Sequence, residues 1–359
     1  MSGPLSVGDL IGDRYLVQGD VGEGGMQFVY AAYDQIADRV VALKTPKNKS
    51  AVKRFRRSAI VAAKVNHPNV AKTLDYVRAG DDRYLIEELI VGEDLQKALL
   101  HRTSFLDPYS AARVFHHLAK GVAAAHHAGV VHRDLKPTNV MVVGGYSLNE
   151  LKVTDFGIAK MAGEVLADAA EGGETTMTTS QTAVGALPYM APEVIDTPRE
   201  VESPADVWSV GAMMFHLICG EPPYGSGLRA VSKILAAEEP VAPPFLRSNP
   251  QFAPLAVEVL ELALRCLKRD PALRPTADDL VKRCGQFCYT PGVRYEGVVK
   301  AIRHSAWGFI ASDEGDVFFH LSSVYGPRKV SVGDHVLFAS YDGGGAPRAH
   351  PVIALTAAS

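Results

Sequence analysis

Between residues 10 and 45 apolar positions recur with a period close to two, in runs such as Tyr15-Leu16-Val17, Phe28-Val29-Tyr30 and Val40-Val41-Ala42-Leu43. This pattern, interrupted by a Gly-rich turn, predicts a series of β-strands. Over residues 50–65 the period lengthens. Phe55, Ala59 and Ala62 fall near one face, so an amphipathic helix is expected there. Strand character returns at Tyr84-Leu85-Ile86-Glu87-Glu88-Leu89, and a long helix is expected over 107–128. Past Pro291-Gly292 the period falls back to two. Gly297-Val298-Val299-Lys300, Trp307-Gly308-Phe309-Ile310, Val317-Phe318-Phe319-His320 and His335-Val336-Leu337-Phe338-Ala339 read as short strands between Gly and Asp turns. Four or five such strands in about 65 residues fit a small barrel.

Composition narrows the class without altering that picture. The chain has 359 residues, 47% hydrophobic and 21% charged, with a formal net charge of −3. This is the profile of an ordinary globular protein with two domains or one large one. It excludes a molecule that binds nucleic acid through its overall charge, so any such binding has to be local. Cys219, Cys266, Cys284 and Cys288 form no CxxC pair, which points to free thiols in a reducing cytosol and away from a zinc site. No basic segment followed by an apolar run opens the chain, and no apolar run reaches the ~18 residues of a membrane span. A cytoplasmic protein without a membrane span is therefore expected.

The chemistry concentrates in one run, His132-Arg133-Asp134-Leu135-Lys136-Pro137-Thr138-Asn139, followed by Asp155-Phe156-Gly157 and Ala191-Pro192-Glu193. An Asp, a Lys two places on and an Asn five places on put a proton acceptor, a cation for phosphate charge and a metal-binding amide into one loop. Asp155 supplies a second carboxylate that can hold a divalent ion against phosphates. Upstream, Val21-Gly22-Glu23-Gly24-Gly25-Met26-Gln27 lies between two strand runs and precedes Val41-Ala42-Leu43-Lys44. Glycines let backbone N–H groups approach a triphosphate, and Lys44 can reach its oxygens from a strand.

This ordered set resembles the protein-kinase family, and its Gly-Gly-Met turn is similar to that of bacterial serine/threonine kinases. The resemblance implies an α+β two-lobed protein-kinase fold over residues 10–285, with the small lobe at about 10–90 and the large lobe at about 91–285. It implies ATP and Mg²⁺ (or Mn²⁺) as cofactors, protein substrates as partners, and autophosphorylation. By the same resemblance Asp134 is the base, Lys136 steadies the γ-phosphate, Asn139 and Asp155 bind the metal, and Lys44 holds the α- and β-phosphates. Val21, Gly22, Gly24, Gly25, Val29, Ala42, Glu88 and Met141 would surround the nucleotide. Glu193 is expected to pair with Arg274, and Asp206-Val207-Trp208-Ser209-Val210-Gly211 to begin a helix of the large lobe.

Four positions depart from the family pattern. Gln27 replaces the third glycine of the turn. Ser58 stands where the helix at 50–65 should carry the Glu that pairs with the strand lysine, and no acidic residue occurs anywhere in that helix. Ala186 replaces the Thr that normally bonds the catalytic Asp and Lys. Glu87, meanwhile, falls at a position that normally carries an apolar or Thr side chain at the back of the nucleotide pocket. An unpaired carboxylate there is costly, so Glu87 is expected either to partner Lys44 or, after a one-residue shift of register, to face solvent. The Gly-, Thr- and Ser-rich segment 171–182 carries candidate phosphosites at Thr178, Thr179, Ser180 and Thr182, or is simply a polar loop.

Beyond a linker at 286–292, residues 293–356 resemble a cold-shock domain, a small all-β OB-fold barrel. Trp307 and Phe309 share one strand face, as do Phe318 and His320. Such rings form a platform on which the bases of single-stranded RNA or DNA stack, with Lys300 as a phosphate contact. The alternative is a barrel reused as an interaction module docked on the preceding domain. At the level of the whole chain, a serine/threonine kinase stands against a nucleotide-binding pseudokinase scaffold. The oligomeric state has no signature in the sequence.

Overall fold

The computed structural model describes residues 3–23, 27–47, 52–156, 185–197, 201–289 and 292–356, with the side chains of Glu23, Val52, Lys53, Arg54, Arg57 and Ser58 outside that set. Gly24 and Gly25 of the glycine-rich turn, and the candidate phosphosites Thr178, Thr179, Ser180 and Thr182, lie outside the described residues.

The first unit is a six-stranded sheet in the order β1-β2-β3-β4-β6-β5. Its strands are β1 (Leu10–Ile11), β2 (Tyr15–Glu23), β3 (Gln27–Asp34), β4 (Arg39–Pro46), β5 (Thr73–Ala79) and β6 (Asp82–Glu88). The alternating apolar positions form its core, with Tyr15, Val17, Tyr30, Ala32, Leu43 and Ile86 buried together. Helix α1 (Val52–Ala62) packs Phe55 and Ala59 against Leu85 of β6, which is the face its apolar spacing marks out.

The second unit is largely helical and holds the largest apolar core. Helix α2 (Pro108–His127) opens with Pro at its first position and Asp107 as N-cap, whose carboxylate accepts from the Tyr109 and Ser110 backbone N–H groups. Helix α3 (Pro204–Cys219) is buried almost throughout. A Cβ at its Gly211 would come within 2.4 Å of Cys266 Cβ in α4 (Ala253–Cys266), so only glycine permits that helix contact. Helix α5 (Ala277–Cys284) starts on a reciprocal capping box between Thr276 and Asp279. Arg274 donates to both oxygens of Glu193, at 2.5 and 2.9 Å. The histidine pairs of α2 serve as cross-links: His116 meets Tyr289, His126 meets Asp206, and His127 meets Asp278, each at 2.9 Å. A short three-stranded sheet, β7 (Glu93–Asp94), β8 (Val140–Val143) and β9 (Glu150–Val153), buries Val140, Val142, Leu151 and Val153 in the same core.

The third unit contains β10 (Arg294–Arg303), β11 (Trp307–Ser312), β12 (Gly315–His320), β13 (Val324–Tyr325), β14 (His335–Tyr341) and β15 (Arg348–Ala354), in the order β12-β11-β10-β14-β15-β13. Pairing of Phe318 with Arg348 joins β12 to β15 and closes the barrel. Gly308 is required on β11, because a Cβ there would stand 2.2 Å from the Ala301 carbonyl and 2.8 Å from the Phe319 ring.

The barrel is seated on the helical unit by an apolar and ionic interface. Tyr325 is buried among Phe105, Phe245 and Phe252, at ring separations of 5.8, 5.7 and 5.1 Å. His350 stacks on Phe252 at 4.9 Å. Arg294 Nη2 lies 3.0–3.1 Å from both Asp107 oxygens and 3.0 Å from Ser110 Oγ. Asp107 therefore caps α2 and anchors the barrel at once. Part of the short linker at 286–292 is itself packed: Phe287 is buried in the large core, and Tyr289 holds His116.

With side chains only 5% and 1% exposed, the Arg294–Asp107 pair is a buried one. Arg294→Met leaves the Asp107 charge buried without its cation, which costs about 3–5 kcal/mol. We expect a lower thermal midpoint and faster proteolysis near residues 285–293. An unchanged midpoint would show that the aromatic contacts alone hold the barrel.

Candidate active site and nucleic-acid platform

Between the first sheet and the helical unit lies a cavity of about 310 Å³. Val21, Gly22, Val29, Ala42, Lys44, Glu87, Glu88, Met141 and Asp155 all line it, so the residues that sequence reasoning assigned to the pocket and that are described come together there. Its size suits a small-molecule ligand. Glu88 is held at the rim by Lys152, at 2.7 and 2.9 Å, and by the Lys72 backbone N–H.

At the back of the cavity is a three-residue charge cluster, of which Lys44 and Glu87 are buried and Asp155 is partly exposed. Strands β4 and β6 pair antiparallel with Ala42 opposite Glu87 and Lys44 opposite Leu85. Ala42, Lys44 and Glu87 therefore project from one face, with Lys44 and Glu87 as diagonal neighbours. Lys44 Nζ lies 2.7 Å from Glu87 Oε2 and 2.8 Å from Asp155 Oδ1. Lys44 and Glu87 are 7% and 4% exposed, so neither charge is solvated by bulk water. Burial acts against the charged Lys44, but Asp155 and then Glu87 outweigh it and hold the ammonium well above its ordinary range. Burial pushes Glu87 up, and Lys44 offsets this only in part. Asp155 is also penalised by burial, yet Lys44 and a hydrogen bond from Gln27 bring it below the usual carboxylate value. Gln27 Nε2 donates to Asp155 Oδ1 at 2.7 Å.

The loop 132–139 stands below this cluster. Lys136 Nζ donates to Asp134 Oδ2 at 2.9 Å, and Asn139 Nδ2 donates to the Asp134 carbonyl at 2.7 Å and to its Oδ2 at 3.0 Å. The fully buried Asp206 fixes the loop by accepting the His132 and Arg133 backbone N–H groups, each at 2.8 Å. That contact supports the left-handed backbone of Arg133, φ 68°. His132 reaches the Thr154 carbonyl at 2.8 Å and packs on the Phe156 ring, so the loop also positions Asp155, itself left-handed at φ 61°. Ala186 is buried and brings no hydroxyl to the loop.

Among the described residues no group of three or more His, Cys, Asp or Glu is arranged to hold a metal. A divalent ion can still be accommodated. Both donors on Asp155 fall on Oδ1, leaving Oδ2 without a protein donor among the described residues. Asn139 uses its NH₂ on Asp134, leaving its amide oxygen. One carboxylate oxygen and one amide oxygen are the sparse donor set from which phosphates and water complete a hard-cation shell.

On the barrel, Trp307, Phe309 and Phe318 form one half-buried patch with ring separations of 5.7–6.0 Å, and His320 pairs with Trp307 across the strands. Lys300 is at the same face, but its ammonium is engaged by Asp316 at 2.6 Å. Sequence reasoning missed Arg348, whose guanidinium lies 5.7 Å from the Phe318 ring centre. The signal would have been barrel closure, which brings the first residue of β15 beside β12. It also saw Asp206 only as part of a helix start, and Gln27 only as a lost glycine.

Residues 15–284 match the family model of the protein kinase domain, and residues 295–355 match that of the 'cold-shock' DNA-binding domain. The chain is similar to the serine/threonine-protein kinase pkn3 of Myxococcus xanthus, 34% identical over 285 residues that cover 77% of this chain and 50% of that protein. It is similar to the serine/threonine-protein kinase PrkC of Bacillus subtilis, 31% identical over 282 residues, 77% of this chain and 41% of the relative. To the serine/threonine-protein kinase PkaA of Streptomyces coelicolor it is 32% identical over 291 residues, 76% of this chain and 49% of the relative. The chain thus spans about half or less of the length of these relatives. Among the described residues no helix is long and apolar enough to cross a membrane.

The cluster has a pH signature. In Lys44→Met, Glu87 loses its cation and burial raises it further. The folded state then binds more protons than the unfolded one, so stability falls as pH rises from the ordinary carboxylate range upward. Thermal melts from pH 5 to 8 should show this slope in Lys44→Met and a smaller one in Lys44→Met/Glu87→Gln, where of the two carboxylates only Asp155 is left to titrate. Equal slopes in the two variants would mean that Glu87 is not the buried partner.

Proposed function

The chain belongs to the protein kinase family, and from that premise we propose that it transfers the γ-phosphoryl group of ATP to serine or threonine hydroxyls of proteins, its own chain included. The observation that carries this reading is the state of Asp134. Lys136 and Asn139 both engage Oδ2, which among the described residues leaves Oδ1 to accept the proton of an incoming hydroxyl. The acceptor oxygen attacks the γ-phosphorus, the bond to the β-phosphate bridging oxygen breaks, ADP leaves, and the proton passes to Asp134. Lys136, beside it, meets the charge on the transferring group. Lys44 donates to Asp155 and is ion-paired with Glu87, and among the described residues these two contacts leave donor capacity on its ammonium for the α- and β-phosphates. Val29 and Ala42 cover one face of the adenine and Met141 the other. Mg²⁺ or Mn²⁺, held by Asp155 and Asn139, would neutralise phosphate charge when bound. The chain's own contribution is positioning and fixed charge.

Glu87 takes the place of the missing helix carboxylate in this scheme. Its support is the 2.7 Å contact with Lys44 and the lack of any acidic residue in α1. The barrel is proposed to bind single-stranded RNA or DNA by stacking bases on Trp307, Phe309 and Phe318 beside His320, with Arg348 rather than the paired Lys300 as its cation. The kinase reading rests on family membership and loop geometry, and the second on the ring patch. The alternative, a nucleotide-binding scaffold without transfer, draws on Ala186, which lacks the hydroxyl expected beside Asp134.

With labelled ATP we expect the full chain to label itself, and Asp134→Asn to lower the rate by about 10²-fold or more. Equal label in both proteins, or none in either, favours the scaffold. For the barrel, oligo-dT and oligo-U should bind at low salt, and Trp307→Ala or Phe318→Ala should each weaken binding by ~1–3 kcal/mol. Absence of binding by the unaltered chain ends the nucleic-acid reading.

A further inference from the structure

Gln27 occupies the position of the third glycine in the glycine-rich turn, at the start of β3. Its side chain is 5% exposed and lines the cavity. The amide points its NH₂ at Asp155 Oδ1, the oxygen that also receives Lys44. Charge sets that orientation, since reversing the amide would bring two acceptors together. The amide oxygen, Oε1, is buried and has no hydrogen-bond partner among the described residues. An unmatched buried acceptor is unfavourable, and here it lies one amide width from the carboxylate whose other oxygen is open.

What is missing at this spot is a donor, and a hydrated divalent cation brings several. Water bound to such an ion is a strong hydrogen-bond donor, and Mg²⁺ keeps much of its shell when it binds protein. We propose that Gln27 is a positioning residue for the divalent cation of the transfer reaction. Its NH₂ orients Asp155, and its Oε1 accepts a hydrogen bond from a water of the cation bound at Asp155 Oδ2. This rests on the kinase reading of the same cleft. A glycine has no side chain for either task, so the substitution gives the strand of the small lobe a direct hold on a metal ligand 128 residues away in sequence.

The test measures Mn²⁺ binding by electron paramagnetic resonance in the full chain with a non-hydrolysable ATP analogue. Gln27→Met keeps the volume and removes both polar groups. Gln27→Glu keeps an acceptor and removes the donor. We expect Gln27→Met to bind Mn²⁺ about 10-fold more weakly or worse, and Gln27→Glu, which keeps the acceptor but loses the donor to Asp155, to fall between Gln27→Met and the unaltered chain. Wild-type Mn²⁺ affinity in Gln27→Met overturns the proposal, as does equal weakening in the two variants. Tighter analogue binding in Gln27→Met also overturns it, by showing that the side chain obstructs the phosphates. If the unaltered chain binds the analogue but shows no Mn²⁺ signal with it, the Gln27 role fails alone. If it binds neither, the kinase reading fails with it.

Discussion

One ammonium group, Lys44 Nζ, stands between two carboxylates in the cleft, and it and Glu87 are buried. Taking Lys44 and Glu87 out of water is costly, and the attraction among the three charges repays the cost only if the geometry is held. Much of the small lobe serves that requirement. The β4–β6 register delivers Glu87 and Lys44 from adjacent hydrogen-bonded strands, so their approach is set by the sheet and not by a mobile element. Asp155 comes from the other side of the cleft, and Gln27 adds a second donor to it. The cluster therefore ties the two lobes together at the place where a nucleotide's phosphates would lie.

A second frame lies beneath it. Asp206 holds the backbone of the loop 132–139, and His132 passes that order on to the segment carrying Asp155. The barrel enters the same frame from outside. Arg294 grips Asp107, the cap of α2, and α2 runs to within a few residues of the loop. A ligand on the barrel would act on the kinase lobe only if it bound two arrangements of this interface differently. The packing of Tyr325 and His350 against Phe252 describes one such arrangement.

The loop and its metal-binding partner were legible because the chemistry demands particular residue types a few places apart in one stretch of chain. Strand and helix character was legible from period, including the switch to strands after Pro291-Gly292, whereas the two-lobed fold followed from the resemblance that the motifs carry. Glu87 could be singled out because a buried carboxylate needs a partner, and Lys44 was the cation within reach. What sequence could not show were contacts between distant segments: Gln27 with Asp155, Arg294 with Asp107, Arg348 with Phe318. Each depends on how whole units are placed, and no local pattern encodes that. Lys300 illustrates the converse, since its charge was visible but its capture by Asp316 was not.

The central claim is that Lys44 is anchored from within the sheet rather than from α1. Relocating the carboxylate tests it most directly, by calorimetric ATP binding to Glu87→Met, Ser58→Glu and the double variant. The account predicts that Glu87→Met weakens ATP binding by about 10-fold or more, the scale of one charge-assisted hydrogen bond. Ser58→Glu alone should gain nothing, and the double variant should recover affinity by restoring a partner from the helix. Wild-type affinity in Glu87→Met would contradict it.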